Sequence, residues 1–404
     1  MIAGDRLVCT IEKCVYGGDG LARVEGCVLF VPGVLPGEVA EVEIIQTKRS
    51  FSRGRLVRLE KRSPDRITPC CRVDKGTLVP GCVYDHADYG QEVRMKQAQL
   101  LEMVGHLPGV DASRFLPPLA AASPLHYRNK IVLHGGRGKG LRLLGYFREP
   151  DHSVVDIPAC PLAVEPINEA LKRFRSSPVW KGVRKGAEVL FRYTPNEGAG
   201  WYSKVLRGGT LLPMLTENTA FGTLFVPATG FFQVNVEMAD ILLKTLAAWF
   251  REEADSFPVI ADCFCGVGGL GLACMKSGGE KLYGLESGRE AVHAARANAK
   301  AWGVPATYDC LAWGRDSVDW SRLTPDVGQT TLIVDPPRGG MAASVAREIA
   351  SSGIPRLFYV SCDPATLTRD LRILINGGYA VRRVQLIDLF PRTARFETLV
   401  ELAL

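Results

Sequence analysis

The chain lacks any run of about 18 uninterrupted apolar residues, the length that a membrane-spanning helix requires. Its first residues, MIAGDRLVCTIEKC, contain acids and no apolar stretch, so we expect no signal peptide. Internal repeats and low-complexity tracts are also missing. These absences argue against the membrane, secreted and repeat classes, and we expect a cytoplasmic protein with no membrane partner.

What is present is an ordinary globular composition, with 47% hydrophobic and 23% charged residues in a chain of 404. This length predicts two or three domains. The net charge of +6 is weak evidence for a polyanionic partner, but its distribution is more informative. Nine Lys or Arg lie from Lys48 to Arg72 against only Glu60 and Asp65. This run indicates either a solvated basic face or a surface that follows phosphates.

Twelve cysteines are many for a cytoplasmic chain, and their spacing is not that of a small disulfide scaffold. Metal binding or catalysis is expected to account for some of them. Others lie in apolar surroundings, where a cysteine usually behaves as a small buried side chain. That expectation applies to Cys9, Cys27, Cys274 and Cys310.

Changes of pattern divide the chain into three predicted domains. Residues 1–62 alternate short apolar segments with Gly- and Pro-rich turns, which is typical of a small antiparallel barrel. Residues 63–250 read as β-rich, with a helical segment at about 91–122 that could pack on the next domain. In residues 251–404 strands alternate with helices. The predicted fold is therefore α/β, with a doubly wound, mostly parallel sheet in the last domain.

A glycine-rich segment, Asp262-Cys-Phe-Cys-Gly-Val-Gly-Gly-Leu-Gly271, lies between a predicted strand and a predicted helix. Glycines let the backbone approach a ligand, and the helix N-terminus offers free N–H groups. Glu286 ends the next strand, twenty residues after Gly266, where an acid can accept hydrogen bonds from ribose hydroxyls. The loop has no Lys and begins with an acid, which favours a nucleoside cofactor without phosphate. The alternative is a structural turn beside a surface glutamate.

Two further residues end predicted strands. Asp335 precedes two prolines that cannot continue a strand, so the chain leaves the sheet at the carboxyl edge, where such sheets bind ligands. Cys362 lies directly before a predicted helix, whose dipole would stabilise a thiolate. A lone cysteine is usually inert packing, but this position favours a nucleophile.

Taken together and in order, these motifs resemble the RNA (uracil-5-)-methyltransferases of the TrmA/RumA type, a class I family that uses S-adenosylmethionine. The resemblance covers nearly the whole chain, and residues 1–62 resemble the family's TRAM domain, a small RNA-binding barrel. The segments that carry the resemblance are Gly230-Phe-Phe-Gln-Val-Asn235, Asp262-Cys-Phe-Cys-Gly-Val-Gly268, Asp335-Pro-Pro-Arg-Gly339, Tyr359-Val-Ser-Cys-Asp-Pro364 and Phe390-Pro-Arg-Thr-Ala-Arg-Phe-Glu397.

The resemblance implies a covalent mechanism for methylating C5 of a uridine in RNA. Cys362 would attack C6 of the base, which makes C5 nucleophilic enough to take a methyl group. Glu397 would then remove the C5 proton. Because C6 is inaccessible in a stacked base, the target uridine would be splayed out of its fold. The residues implied to hold S-adenosylmethionine are Gln233, Phe264, Glu286 and Asp335.

Two positions close to the implied catalytic residues depart from the common family pattern. Asp363 follows the implied nucleophile where Asn is frequent, and Arg395 lies two residues before the implied base where His is frequent. Phe264 occupies a position that is often Tyr. None of these changes removes a catalytic group.

Many members of this family carry an iron–sulfur cluster on four cysteines, three close together and one downstream. Val79 stands where one of these ligands is expected, three residues before Cys82. Cys70, adjacent to Cys71, could supply the missing thiolate. We therefore expect a [4Fe-4S] cluster, with zinc or an empty site as alternatives. The implied ligands are Cys70, Cys71, Cys82 and Cys160.

The N-terminal barrel favours 23S ribosomal RNA as the substrate, because the bacterial transfer-RNA members of the family typically lack it; transfer RNA is the alternative. An RNA-binding protein without turnover would be expected to lose Cys362 or Glu397, and both are present. A cytosine-C5 methyltransferase would carry a Pro-Cys motif at its nucleophile, whereas here Ser361 precedes Cys362. We expect the protein to be a monomer.

Overall fold

The computed structural model describes residues 2–404 except 74–75, 139, 149–150, 315–317, 319–322 and 324–325. Its named strands form three larger sheets and one separate hairpin. Short 3-10 turns lie at Ala112–Arg114, Pro178–Gly182 and Val327–Gln329.

The first sheet has six strands: β1 (Arg6–Thr10), β2 (Lys13–Cys14), β3 (Gly20–Val24), β4 (Cys27–Val31), β5 (Val39–Thr47) and β6 (Ser52–Lys61). Their order is β1-β5-β6-β4-β3-β2, and every pair is antiparallel except β4 with β6. Alternate apolar side chains such as Leu29, Val31 and Val42 meet in one buried core. β1 also contacts β3, so the sheet curls on itself as the predicted barrel does.

The middle of the chain forms an antiparallel sheet of order β12-β11-β10-β7-β8-β9 and a separate hairpin, β13 with β14. Helix α2 (Glu165–Arg175) buries Ile167, Leu171 and Phe174 against this sheet. The strand bounds are β7 (Lys130–Gly138), β8 (Leu141–Phe147), β9 (Val154–Asp156), β10 (Glu188–Thr194), β11 (Gly198–Ser203), β12 (Gly208–Gly209), β13 (Met214–Thr219) and β14 (Gly222–Pro227).

The last sheet has the order β17-β16-β15-β18-β19-β21-β20. The first five of these strands are parallel, and β21 runs antiparallel to both of its neighbours. This arrangement confirms the predicted doubly wound, mostly parallel sheet, to which the last two strands add an antiparallel pair. The strands are β15 (Val259–Cys263), β16 (Lys281–Glu286), β17 (Ala306–Cys310), β18 (Thr330–Val334), β19 (Arg356–Ser361), β20 (Ala380–Ile387) and β21 (Glu397–Ala403).

Helices cover both faces of this sheet and create two separate cores. One core gathers apolar side chains from α3, α4 and α5, and the other from α1, α6 and α7. Helix α1 precedes the sheet in sequence by more than a hundred residues, yet it packs against α7. The helix bounds are α1 (Tyr89–Val104), α3 (Val236–Arg251), α4 (Gly269–Met275), α5 (Arg289–Trp302), α6 (Ala343–Ala350) and α7 (Pro364–Asn376).

A buried ionic network ties α1 to the segment between β20 and β21. The ammonium of Lys96 donates to Glu92 Oε1 at 2.7 Å, to Asp388 Oδ1 at 2.8 Å and to the carbonyl of Phe390 at 3.2 Å. The backbone N–H of Arg392 donates to the same Glu92 oxygen at 2.7 Å. Because Lys96, Glu92 and Asp388 are fully buried, removing one partner would leave an uncompensated charge, and the segment before β21 is held firmly.

Two of the cysteines expected to be buried are not. Cys9 and Cys274 lie in cores, but Cys27 and Cys310 are exposed, Cys27 at the first residue of β4 and Cys310 at the last residue of the edge strand β17. Within the described part of the chain, no helix is long and apolar enough to cross a bilayer.

Candidate active site

The residues implied as functional gather at one edge of the last sheet. Asp262, Glu286 and Cys362 lie at or just beyond the carboxyl ends of parallel strands β15, β16 and β19, and Asp335 follows β18. Strand β21 runs the other way, so its first residue, Glu397, lies at the same edge. The register pairs Ser361 with Thr398, which sets Glu397 beside the loop of Cys362.

The glycine-rich loop after β15 turns sharply and leaves space beside its backbone. Phe264 and Gly266 have positive φ angles of 63° and 55°, and a side chain at Gly266 would meet no atom within 4 Å. At Gly271 the opposite holds, because an added Cβ would lie 2.8 Å from Asp262 Oδ2. That closeness lets the Gly271 N–H donate to the same oxygen at 2.9 Å. The loop is thus anchored at its helix end and open where a ligand can approach.

Glu286 connects this loop to the next strand. Its Oε2 accepts from the N–H of Gly266 at 3.1 Å, and its Oε1 accepts from the N–H of Gly288 at 2.7 Å and from the hydroxyl of Ser287 at 3.0 Å. The half-buried carboxylate therefore has a fixed position at the rim of the open space. This is the position from which an acid can reach the hydroxyls of a ribose.

The other acids at this edge lie close to one another, with little positive charge nearby to compensate their negative charges. Burial raises the pKa of Asp262 to about 7, and the nearby Asp335 and Glu286 add to the rise. The pKa of Asp335 is likewise raised to about 7, by burial and by the charge of Glu286. Burial and Asp335 also raise the pKa of Glu397 well above its usual value. Oxygens Asp262 Oδ1 and Glu397 Oε2 are buried without a hydrogen-bond partner among the described residues. This pocket favours a cationic ligand.

The environment of Cys362 differs from the expectation based on its helix. Asp363, rather than Cys362, caps α7, with its Oδ1 accepting from the N–H groups of Ala365 and Thr366 at 3.0 and 3.3 Å. Burial, followed by the charges of Glu397 and Asp335, raises the pKa of Cys362 to about 12. The expected thiolate is thus a neutral thiol in the ligand-free protein, because burial first, and the nearby carboxylates second, disfavour its charged form.

Two of the implied cofactor residues lie at the margins of this pocket. Phe264 stacks on Trp313, with ring centroids 5.9 Å apart. Gln233 is half-buried on the segment that leads into α3, and no hydrogen bond joins its side chain to the other implied residues among those the structure describes. The carboxylates and Cys362 are therefore brought together, whereas Gln233 is not joined to them by any direct contact.

Three neighbouring side chains did not emerge from the sequence as functional residues. The charges of Arg338 and Arg395 favour the ionised form of Cys362. Arg395 Nη1 also donates to Asp363 Oδ2 at 2.5 Å and to the hydroxyl of Tyr16 at 2.7 Å. In the sequence, Asp363 and Arg395 stood out as departures from the family pattern. Their opposite charges were the feature that could have indicated a pair. Tyr16 carried no such signal, since it comes from the N-terminal barrel.

The cysteines expected to hold a cluster do not form a metal site. All lie in or beside the core of the middle sheet, yet in the described ranges no group of three or more His, Cys, Asp or Glu is arranged to hold a metal ion. Cys160 Sγ accepts from the hydroxyl of Tyr146 at 3.6 Å, and Val79, in a ligand's place, is buried among apolar side chains. The described residues therefore lend no support to the expected [4Fe-4S] or zinc site on Cys70, Cys71, Cys82 and Cys160, which stays a prediction.

The missing ligand explains this outcome. Cys70 was expected to replace it, but its thiol lies at the core margin and donates to the carbonyl of Asp85 at 3.4 Å. Its sulfur is 4.0 Å from that of its neighbour, Cys71. These thiols are packed as core side chains, as cysteines commonly are.

Comparison with known proteins identifies the family. A family model described as tRNA (Uracil-5-)-methyltransferase matches residues 323–403, and the TRAM domain model matches residues 4–57. Proteins named uncharacterized RNA methyltransferase from Oceanobacillus iheyensis and Gloeobacter violaceus are each 28% identical to this chain. The first match covers 98% of this chain and 96% of the relative, and the second covers 100% and 97%.

These matches support the RNA uracil-5-methyltransferase family of the TrmA/RumA type. A solved structure agrees in fold: Pyrococcus abyssi tRNA (uracil-54, C5)-methyltransferase in complex with S-adenosyl-L-homocysteine is 21% identical, with a TM-score of 0.73. That match covers 98% of this chain and 99% of the other. The S-adenosylmethionine that the resemblance implies has a cationic sulfonium, which suits a pocket of poorly compensated carboxylates.

The raised pKa values predict that this methyltransferase binds S-adenosylmethionine more weakly in acid. Asp262 and Asp335, each with a pKa of about 7, become neutral as the pH falls and then attract a cation less. If one protonation with a pKa of about 7 competes with cofactor binding, the affinity for S-adenosylmethionine should fall about tenfold from pH 8 to pH 6. Titration calorimetry measures it, and Asp335→Asn should flatten the pH dependence.

S-adenosylhomocysteine provides the matched control for this experiment, since it lacks the sulfonium charge but keeps the nucleoside and the amino acid. Its affinity should change much less over the same pH range. Equal pH dependence for both ligands would show that carboxylate charge does not act on the sulfonium.

Proposed function

We propose that this methyltransferase transfers a methyl group to C5 of a uridine through a covalent bond between Cys362 and C6. The observation that carries the proposal is the joint position of the two side chains. The β19–β21 register brings the buried Glu397 beside the loop of the half-buried Cys362, at the edge where Asp335 and Glu286 surround the open space. A nucleophile, a base and a cofactor pocket thus share one edge.

The first step needs a thiolate at Cys362. Its sulfur forms a bond to C6, and the electrons of the C5–C6 double bond move toward O4, so that C5 becomes enolate-like. The thiol is protonated in the ligand-free protein, and its proton must first pass to water, which can reach the half-buried side chain. The charges of Arg338 and Arg395 already favour the ionised form, and a bound sulfonium adds a third positive charge.

The second step needs a free carboxylate at Glu397. C5 takes the methyl group that S-adenosylmethionine supplies, and the C5 proton then passes to Glu397 while the electrons of the C–H bond re-form the double bond and expel the sulfur. Glu397 Oε2 has no hydrogen-bond partner among the described residues and is therefore not committed elsewhere. Arg338 opposes the rise of its pKa, so the same cation favours both active forms.

We also propose the three-part division of the chain at residues 1–62, 63–250 and 251–404.

The barrel would bind RNA with only part of its basic run. Five of the nine cations from Lys48 to Arg72 pair with acids of the protein itself. The exposed cations for which no such pair is found in the described ranges are Lys48, Arg49, Lys61 and Arg62.

Large-subunit ribosomal RNA remains our first proposal for the substrate, with transfer RNA as the second candidate. The barrel no longer favours either, because the archaeal transfer-RNA enzyme matches 98% of this chain, barrel included. Methyl mapping in a deletion strain tests the choice, and we expect one uridine of 23S ribosomal RNA to lose its methyl group. Loss from transfer RNA alone would overturn this choice of substrate and leave the chemistry intact.

The order of the covalent steps predicts that two variants fail differently. Cys362→Ala should give neither methylation nor adduct, because C5 is never activated. In Glu397→Gln, Cys362 should still attack C6, and C5 should still take the methyl group. The reaction should then stall, because the sulfur leaves only when the C5 proton is lost. A denaturing gel should show a slow protein–RNA band labelled by the methyl group of the cofactor.

The double variant Cys362→Ala/Glu397→Gln serves as the control and should give no such band. If Glu397 only packs β21, Glu397→Gln would lower stability and activity together without an adduct. Folded Glu397→Gln protein with no labelled band, or turnover by Cys362→Ala, would contradict the proposed roles.

The unpaired cations predict which barrel residues contact phosphate. Lys48→Gln/Arg49→Gln should weaken RNA binding and reduce the slope of log affinity against log salt by about 1.4–1.8, at roughly 0.7–0.9 per phosphate contact. The matched control is Arg55→Gln/Arg58→Gln, whose cations already pair with Glu43 and Glu41. Filter binding at several salt concentrations measures both. Equal slopes for the two double variants would contradict this assignment.

A further inference from the structure

Tyr16 extends from the N-terminal barrel into the active-site edge of the last sheet. It lies in the turn between β2 and β3, and its ring packs edge-on against Phe396, with centroids 5.9 Å apart. Its hydroxyl donates to Asp363 Oδ2 at 3.2 Å and accepts from Arg395 Nη1 at 2.7 Å. Burial raises the pKa of this hydroxyl, so it remains protonated and able to donate.

Asp363 holds two elements with its two oxygens. Oδ1 caps helix α7, and Oδ2 accepts from both Arg395 and Tyr16. The side chain of Asp363 is 15% exposed and that of Arg395 36%, so their ion pair is partly shielded from water. In such surroundings, hydrogen bonds between ionised groups are stronger than neutral ones.

These contacts lie next to both proposed catalytic groups in the chain. Asp363 directly follows Cys362, and Arg395 precedes Glu397 by two residues, with Phe396 between them. The two departures from the family pattern therefore touch each other, as a matched pair of opposite charges. A change at one position alone would leave a partly buried charge without its partner.

We infer that Tyr16, Asp363 and Arg395 are positioning residues for methyl transfer, and that they hold the loop of Cys362 at a set distance from Glu397. This inference rests on the proposed function, because it assigns the cluster a role only through those two groups. It makes the barrel part of the active centre as well as an RNA-binding surface.

Tyr16→Phe is the sharpest test, because it removes one hydroxyl and keeps the ring on Phe396. We expect kcat for RNA methylation to fall by about tenfold, while KM for RNA changes less than about twofold, as for an interaction that matters in the transition state. The melting temperature should stay near that of the wild type. With RNA containing 5-fluorouridine, whose C5 carries no removable proton, adduct formation should slow by the same factor.

Lys13→Met is the matched control within the barrel. Lys13 pairs with Glu102 of α1 at 2.5 Å, so this variant loosens another contact of the barrel, one that involves none of Tyr16, Asp363 and Arg395. We expect its kcat to stay within about twofold of the wild type, as for an exposed ion pair of small energy.

Charge compensation gives a second, independent test. Asp363→Asn and Arg395→His should each lower kcat, because each leaves the other charge unpaired. The double variant Asp363→Asn/Arg395→His removes both charges and installs the side chains frequent in the family. Expressed as a fraction of the wild-type kcat, its value should exceed the product of the two single-variant fractions by at least about fivefold, as expected for coupled residues.

Three outcomes would overturn the inference: a wild-type kcat in Tyr16→Phe, an equal loss in Lys13→Met, or strictly additive effects at Asp363 and Arg395. Failure of the proposed function would appear differently, as wild-type protein that forms no Cys362-dependent adduct with the 5-fluorouridine RNA. The two failures are therefore separable in one set of measurements.

Discussion

Mutual repulsion of carboxylates at the carboxyl edge of the last sheet is the constraint on which the site depends. Asp262, Asp335 and Glu397 are drawn from three different strands into a region of low solvation, and Glu286 stands at its rim. Burial and these charges together raise the pKa of Cys362, so that it is a thiol in the ligand-free protein. A cationic methyl donor would relieve the repulsion and favour the ionised forms of Cys362 and Glu397, the proposed nucleophile and base, so that the proposal links cofactor binding to activation of the site by charge.

Holding such groups together requires rigid supports from outside the sheet. The buried network around Lys96 secures the segment that leads into β21, and the cluster of Tyr16, Asp363 and Arg395 joins the barrel to the loops on either side of the reaction. Both supports come from residues far away in the sequence. The N-terminal regions thus stabilise the geometry of the C-terminal site in addition to any contact that they make with RNA.

The cysteines show that a pattern can predict where residues gather without determining how they are arranged there. The four residues expected to bind a cluster do lie around one core, as their resemblance to family ligands implies. Coordination requires four thiolates converging in space. With Val79 buried at one place and Cys70 bonded to a carbonyl at the margin, the thiols pack instead of coordinating. Spacing along the chain could not decide this.

The sequence by itself determined the doubly wound sheet, the barrel and the family, because strand–helix alternation, glycine turns and strand-end acids are local features that act over a few residues. Only the tertiary structure decided the charge state of Cys362, since its pKa depends on Glu397 and Asp335 across space. It also decided that Asp363 and Arg395 form a pair and that Tyr16 joins them. Electrostatics and burial act through distance in three dimensions, and the one-dimensional order of residues does not contain those distances.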